Sequence, residues 1–195
     1  MFLVSYIQAQ KINIDPFYID DRVPDLPLSN LINYKDSTAL LSSFGHKLII
    51  LDFWATHCGP CIAMFPKEDS LQKTFKDQVQ FILVTYDGEA KVKKFFHSWD
   101  STHNMHLSMP IVTTDRLLRK LFRFQFIPHY IWITPNGRFL GQTSETFIDS
   151  HVISKVLKDM EVYEERLKRE GWPPSMYGFP KADIDFIKLL KSLKN

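Results

Sequence analysis

Residues 47–61 read Lys-Leu-Ile-Ile-Leu-Asp-Phe-Trp-Ala-Thr-His-Cys-Gly-Pro-Cys, and the fold turns on them. The first half is a short apolar run beside turn signals, which predicts a fully buried central strand. The second half holds both cysteines of the chain, Cys58 and Cys61. A bridge across two residues closes so small a loop that the unfolded chain loses little entropy to it. The pair is therefore poorly suited to stapling a fold and well suited to cycling between dithiol and disulfide. Ile62, Met64, Phe65, Leu71 and Phe75 follow on roughly helical spacing, with Pro66 expected to interrupt and kink that helix. Cys58 then falls at a helix start and Cys61 one turn inside. Free N–H groups and the helix dipole favour a thiolate at Cys58, and the thiolate is the form that attacks a disulfide.

Outward from this stretch, residues 79–86 predict a second strand and residues 89–99 a helix, with Val92, Phe95, Phe96 and Trp99 on one face. Residues 101–108 predict a loop, 110–113 a short strand, and 115–122 a helix capped by Asp115. Residues 129–134 and 138–142 flank Pro135-Asn136-Gly137 and predict a hairpin. Residues 146–170 predict one helix or two, and 182–193 a final amphipathic helix, with Ile184, Ile187, Leu190 and Leu193 in phase. Upstream, residues 20–28 form an extended lead-in containing Pro24 and Pro27. Residues 28–33 and 37–41 predict a hairpin around Tyr34-Lys35-Asp36. This order predicts an α/β fold: a central mixed sheet flanked by helices, with an N-terminal hairpin extension and a C-terminal helical extension. The redox pair sits where a strand turns into a helix, the end of such sheets where sites gather.

The chain has 195 residues, enough for one domain with a short appendage, and 45% are hydrophobic, ample for a core. The 24 basic against 22 acidic side chains leave a net charge of +2, so no overall field points to nucleic acid or a membrane surface. No apolar run reaches the ~18 residues a bilayer span needs. Residues 2–7 are mostly apolar, with Ala9 placed near a cleavage site, and read as a short or truncated export signal. That reading places the protein in the periplasm or cell envelope; an ordinary N-terminal strand in a cytoplasmic protein is the alternative.

Asp52-Phe-Trp-Ala-Thr-His-Cys-Gly-Pro-Cys61 resembles the thioredoxin active site. With VPDLPLSNL at 23–31, LLSSFGHKLIILDFWAT at 40–56 and Pro135-Asn136-Gly137, the chain resembles the TlpA/ResA-like branch of exported thiol-disulfide oxidoreductases over residues 22–158. Residues 1–21 are then a signal and lead-in, and 159–195 an extension without a match. The resemblance implies a thioredoxin-like fold, Cys58 as the attacking and Cys61 as the resolving cysteine, and Asp52 as a buried acid that exchanges a proton with Cys61. It implies a cis-proline loop at Ile127-Pro128, and a substrate surface made by Trp54, His57, Gly59, Pro60, Ile127 and Pro128. It implies protein disulfides as substrates, an upstream dithiol as electron donor, and no dissociable cofactor or metal.

Three departures stand out. His57 occupies the position usually held by Trp. Met64 stands where ResA-like members carry a glutamate, so a relay through that position does not carry over. Residues 79–86 lack the lysine that thioredoxin pairs with its buried acid. Two rival readings exist. A metal-binding or delivery module would use Cys58 and Cys61 with a histidine, His57, His103 or His106 being available. A thiol peroxidase would need its own Thr/Arg cradle.

Overall fold

The computed structural model of the protein describes residues 16–45 and 47–173. The export signal proposed for the first residues and the helix expected over 182–193 lie outside the described residues. Eight strands and four α-helices follow in the order β1 Pro27–Ser29, β2 Leu31–Ile32, β3 Thr38–Leu40, β4 Leu48–Trp54, α1 Gly59–Thr74, β5 Val79–Thr85, α2 Glu89–His103, β6 Ile111–Val112, α3 Leu118–Leu121, β7 His129–Ile133, β8 Phe139–Thr143 and α4 Ser150–Arg169.

The central sheet has the order β2-β6-β5-β4-β7-β8. β4 lies in its middle, parallel to β5 and antiparallel to β7, and all seven of its residues are buried. Side chains alternate across a strand, and the two cores follow that alternation. Leu48, Ile50 and Trp54 of β4 pack with Cys61, Phe65, Val92, Trp99 and Ile153, from α1, α2 and α4. Ile49, Leu51 and Phe53 pack with Leu26, Leu28, Leu41, Leu118, Leu121 and Phe122. Asp52 is in phase with the first set.

The expected N-terminal hairpin forms only in part. β1 pairs with β3, but β2 leaves the hairpin and adds to the main sheet beside β6. Asn30 and Asn33 cause the change: both have a φ of 55°, a left-handed turn that Asn tolerates better than most residues. Asn33 Nδ2 then donates to the carbonyls of Leu107 and Met109, at 2.7 and 2.8 Å, and fastens the segment there.

Pro66 does not end α1, which runs through it, held by buried Phe65, Glu68, Asp69 and Leu71. α2 runs past the expected loop start as far as His103 and closes on Asn104 in the left-handed region. The expected helix at 115–122 contracts to α3, because Asp115 turns its carboxylate onto the N–H groups of Leu117, Leu118 and Arg119. The β7–β8 turn uses one positive φ, at Gly137, and not one at Asn136 as well. Residues 146–170 resolve into a short 3-10 turn, Glu145–Phe147, and α4, capped by Asp149. The 158/159 position falls inside α4. The lead-in lies along β8: Asp20 N–H donates to Phe139 O, Phe139 N–H to Asp21 O, and Val23 N–H to Gly137 O.

Candidate active site

β4 delivers the chain to Ala55, and the Cys58 N–H donates back to Ala55 O at 2.9 Å, turning the backbone into α1. Cys58 is the N-cap of α1, with extended backbone. Pro60 sits in the first turn, where a missing N–H is harmless. Cys58 and Cys61 form a disulfide, and the Cys61 N–H donates to Cys58 Sγ at 3.3 Å. That N–H and the helix start would favour negative charge on Cys58 once the bond is reduced. Cys58 is 8% exposed and Cys61 fully buried, while Gly59 and Pro60 are exposed. Of the two cysteines, Cys58 keeps a little solvent exposure and Cys61 none.

Asp52 is fully buried, and neither carboxylate oxygen has a hydrogen-bond partner. Burial, with the Glu68 carboxyl adding to it, pushes Asp52 well above the usual carboxylate range. Tyr130 stands directly opposite Asp52 in the β4–β7 register, and its hydroxyl donates to Glu68 Oε1 at 2.5 Å. Glu68 is itself fully buried on α1, with Oε2 unpartnered. Burial pushes Glu68 up to about 7, against the opposing pull of the Tyr130 bond and the Lys67 charge. Burial beside these acids also raises the Tyr130 phenol, which keeps it a donor. Two carboxyls in one dry compartment do not both ionise readily, so the pair retains a proton at neutral pH.

Glu68 is the residue the sequence reading missed. Met64, at the position where a glutamate was sought, is half-buried; the acid lies one turn further along α1. Its signal was its phase, because Cys61, Phe65, Glu68 and Gln72 form one stripe and all are buried.

Trp54 requires a correction. It is 1% exposed, and its ring is enclosed by Phe65, Phe95 and Phe96 at 5.1–5.5 Å between centroids. An arriving substrate would find no Trp54 surface to touch, so the residue supports the site from within. His57 is exposed, with Nε2 3.3 Å from Tyr86 Oη. The loop before Cys58 has an anchor the sequence did not announce: Thr56 donates to Asp87 Oδ2 through both its N–H and its hydroxyl, each at 2.8 Å. Asp87 also pairs with Lys91 at 2.7 Å. Burial works against the Asp87 charge, but the Lys91 and Thr56 hydrogen bonds hold its pKa below the ordinary value.

The Ile127–Pro128 peptide bond is cis. Pro128 is buried, and half-buried Ile127 packs against the cluster that contains both cysteines. His103 and His106 lie at the far end of α2, bound to Trp99 O and to Asp100. Among the described residues no group of three or more His, Cys, Asp or Glu is placed to hold a metal, and no helix is long and apolar enough to cross a membrane.

Comparison with known proteins agrees with this architecture. The chain is 30% identical over 125 residues to the thiol-disulfide oxidoreductase ResA of Oceanobacillus iheyensis, a match covering 62% of each chain. It is 26% identical over 140 residues to the thioredoxin-like protein YneN of Bacillus subtilis, covering 72% of this chain and 75% of that one. In fold it is similar to the crystal structure of a putative thiol:disulfide interchange protein DsbE from Chlorobium tepidum. There the TM-score is 0.59 and the identity 23%, over 72% of this chain and 98% of that one. The Redoxin family model matches residues 19–138. That span is more than half of the chain and runs from the lead-in, through the cysteine pair and the Ile127–Pro128 bond, to the start of β8; the chain thus belongs to the Redoxin family.

Proposed function

We propose that the protein is a thiol-disulfide oxidoreductase acting mainly as a reductase of protein disulfides. One observation carries the reading: a disulfide closed across the first turn of α1, with Cys58 at the surface edge and Cys61 beneath it. In the reduced form the Cys58 thiolate attacks one sulfur of a substrate disulfide. A Cys58–substrate bond forms, and the other substrate sulfur leaves as a thiolate that takes up a proton. Cys61 then loses its proton and attacks Cys58 Sγ. The Cys58–Cys61 bond re-forms, and the second substrate sulfur departs as a thiol. The substrate gains two electrons and the cysteine pair loses two, which a dithiol donor restores.

Asp52 is the acceptor proposed for the Cys61 proton, directly or through one water. His57, Gly59, Pro60 and Ile127 form the proposed substrate surface, with buried Pro128 positioning the Ile127 main chain that pairs with an extended substrate. The electrons reside in the cysteine pair, so the reaction needs no dissociable cofactor. The Gly-Pro between the cysteines resembles thioredoxin, at the reducing end of the known potentials. The mostly apolar residues 2–7 support placing this activity in the cell envelope.

Trapping tests the reading. Cys61→Ser, expressed in the native host, should accumulate disulfide-linked complexes at Cys58 that reductant dissolves and that Cys58→Ser lacks. Absence of such complexes, together with no reduction of any protein disulfide by the wild-type dithiol, would refute it.

A further inference from the structure

One strip of surface beside the disulfide is far from electrically neutral. From Arg116 to Ser144 the chain contains no Asp or Glu, and residues 116–123 include Arg116, Arg119, Lys120 and Arg123. All four are exposed; Arg119 and Lys120 lie in the single turn of α3, with Arg116 just before it and Arg123 just after it. Leu118, Leu121 and Phe122 between them are buried in the second core, which leaves the four cations on the solvent side of this segment. The nearest acid in sequence, Asp115, is turned onto backbone N–H groups at 2.9–3.1 Å. Among the described residues none of the four cations makes an ion pair.

Arg119 ties this face to the redox centre. Its guanidinium lies over the Phe124 ring at 4.7 Å and the Tyr86 ring at 5.7 Å. Tyr86 contacts His57, the neighbour of Cys58. On the other side Phe124 stacks on His129 at 4.6 Å, directly after Pro128, and 67%-exposed Phe126 meets the same His129. A ridge of rings therefore runs from the flank of Cys58 to the Ile127–Pro128 loop, with a cationic face along it. A guanidinium held flat on aromatic rings keeps its N–H edge available for a carboxylate.

We infer that this surface selects the substrate by charge: the Arg119-centred ridge and the cations at 116, 120 and 123 dock an acidic, extended protein segment beside its disulfide. The inference rests on the reductase reading and names the substrate class for that site. A cationic face raises the encounter rate with carboxylate-bearing partners and repels basic ones, an effect that salt weakens. A polypeptide is the occupant the geometry favours, because it brings carboxylates and a disulfide together, whereas a lipid surface or nucleic acid brings only the charge.

Single-turnover reduction tests this with the reduced full-length protein and three synthetic peptides. They share one disulfide and differ only in flanking glutamates, glutamines or lysines. The glutamate peptide should react about tenfold or more faster than the lysine peptide at low ionic strength, and the gap should shrink in about 0.5 M salt. Arg116→Glu/Arg123→Glu should invert the order, and Arg119→Ala should slow the glutamate peptide most. If the double variant does not fold, the salt dependence of the wild-type ratio decides the matter. Equal rates for all three peptides at every salt concentration overturn the inference and leave the reductase reading standing. Failure to reduce any peptide, or any protein disulfide, removes the reductase reading and the inference with it. Equal peptide rates together with binding to phosphatidylglycerol vesicles that Arg116→Glu/Arg123→Glu abolishes would assign the face to a lipid surface and also overturn it.

Discussion

Tyr130 stands opposite Asp52 across β4 and β7 while its hydroxyl donates to Glu68 on α1. One phenol thus lies between a strand acid and a helix acid, in a compartment that excludes solvent from all three. The strand carboxylate is left without a donor, and the helix carboxylate has one oxygen satisfied. Such a pair stores a proton under conditions where exposed acids have lost theirs.

Stability should therefore fall as pH rises. The folded state holds the Glu68 proton up to about 7, against 4.5 for an ordinary glutamate. Between those values the folded protein binds more protons than the unfolded chain, and the stabilisation present at low pH is lost as pH climbs through the window. A shift of this size corresponds to about 3 kcal/mol. Glu68→Gln keeps an acceptor for Tyr130 and should reduce the slope; adding Asp52→Asn should flatten it further. Chemical denaturation from about pH 4.5 to 8 reads this directly, and an unchanged slope in the double variant would contradict it.

Asp52→Asn separates the two chemical steps. Attack by Cys58 should proceed near the wild-type rate, while resolution by Cys61 slows about 10²-fold, the lower range for loss of a general base. In the wild type, resolution should accelerate with pH as Asp52 gives up its raised proton, and the variant should lose that dependence. Acid-quenched stopped-flow, counting mixed disulfide against time, measures both steps. A variant that resolves at the wild-type rate would remove Asp52 from the mechanism.

The two thiols should differ in reactivity. Cys58 combines solvent access with the helix-start N–H groups, and Cys61 is wholly buried. Alkylation of the reduced protein near neutral pH, followed by peptide mass mapping, should find Cys58 modified well before Cys61. The reverse order would exchange the roles of the two cysteines.

Asp115→Ala should cost about 1–2 kcal/mol, the range for losing a helix cap. Three N–H groups lose their acceptor at once, and the turn that presents Arg119 loosens with them. Thermal unfolding gives the loss. Asp115→Asn, which retains one acceptor oxygen, should recover part of it.

The centre of the molecule was legible because its signals are local. A run apolar at every position but Asp52 marks a strand buried on both faces, and Cys-Gly-Pro-Cys after it marks a helix start. The departures have a common origin in distant contacts. β2 was read into a hairpin because the sequence does not show that Asn33 will find the carbonyls of Leu107 and Met109, more than 70 residues away. Trp54 entered the substrate surface through the family resemblance, and a strand buried on both faces gives no alternation to say which way its ring points. Glu68 was not singled out, since an acid between Lys67 and Asp69 resembles surface until its phase with Cys61 and Phe65 is counted.

The lead-in over residues 17–23 has a consequence for handling this protein. β8 is the last strand of the sheet, and the free donors and acceptors of an edge strand invite pairing with another molecule. Here Asp20, Asp21 and Val23 occupy those at Phe139 and Gly137, and the Asp20–Arg138 ion pair at 2.7 Å clasps the same segment. The lead-in thus works as a built-in guard against self-association. A chain trimmed to residue 24 would keep every catalytic group and uncover a sticky margin next to half-exposed Leu140. Soluble versions of the protein should therefore begin upstream of Phe17.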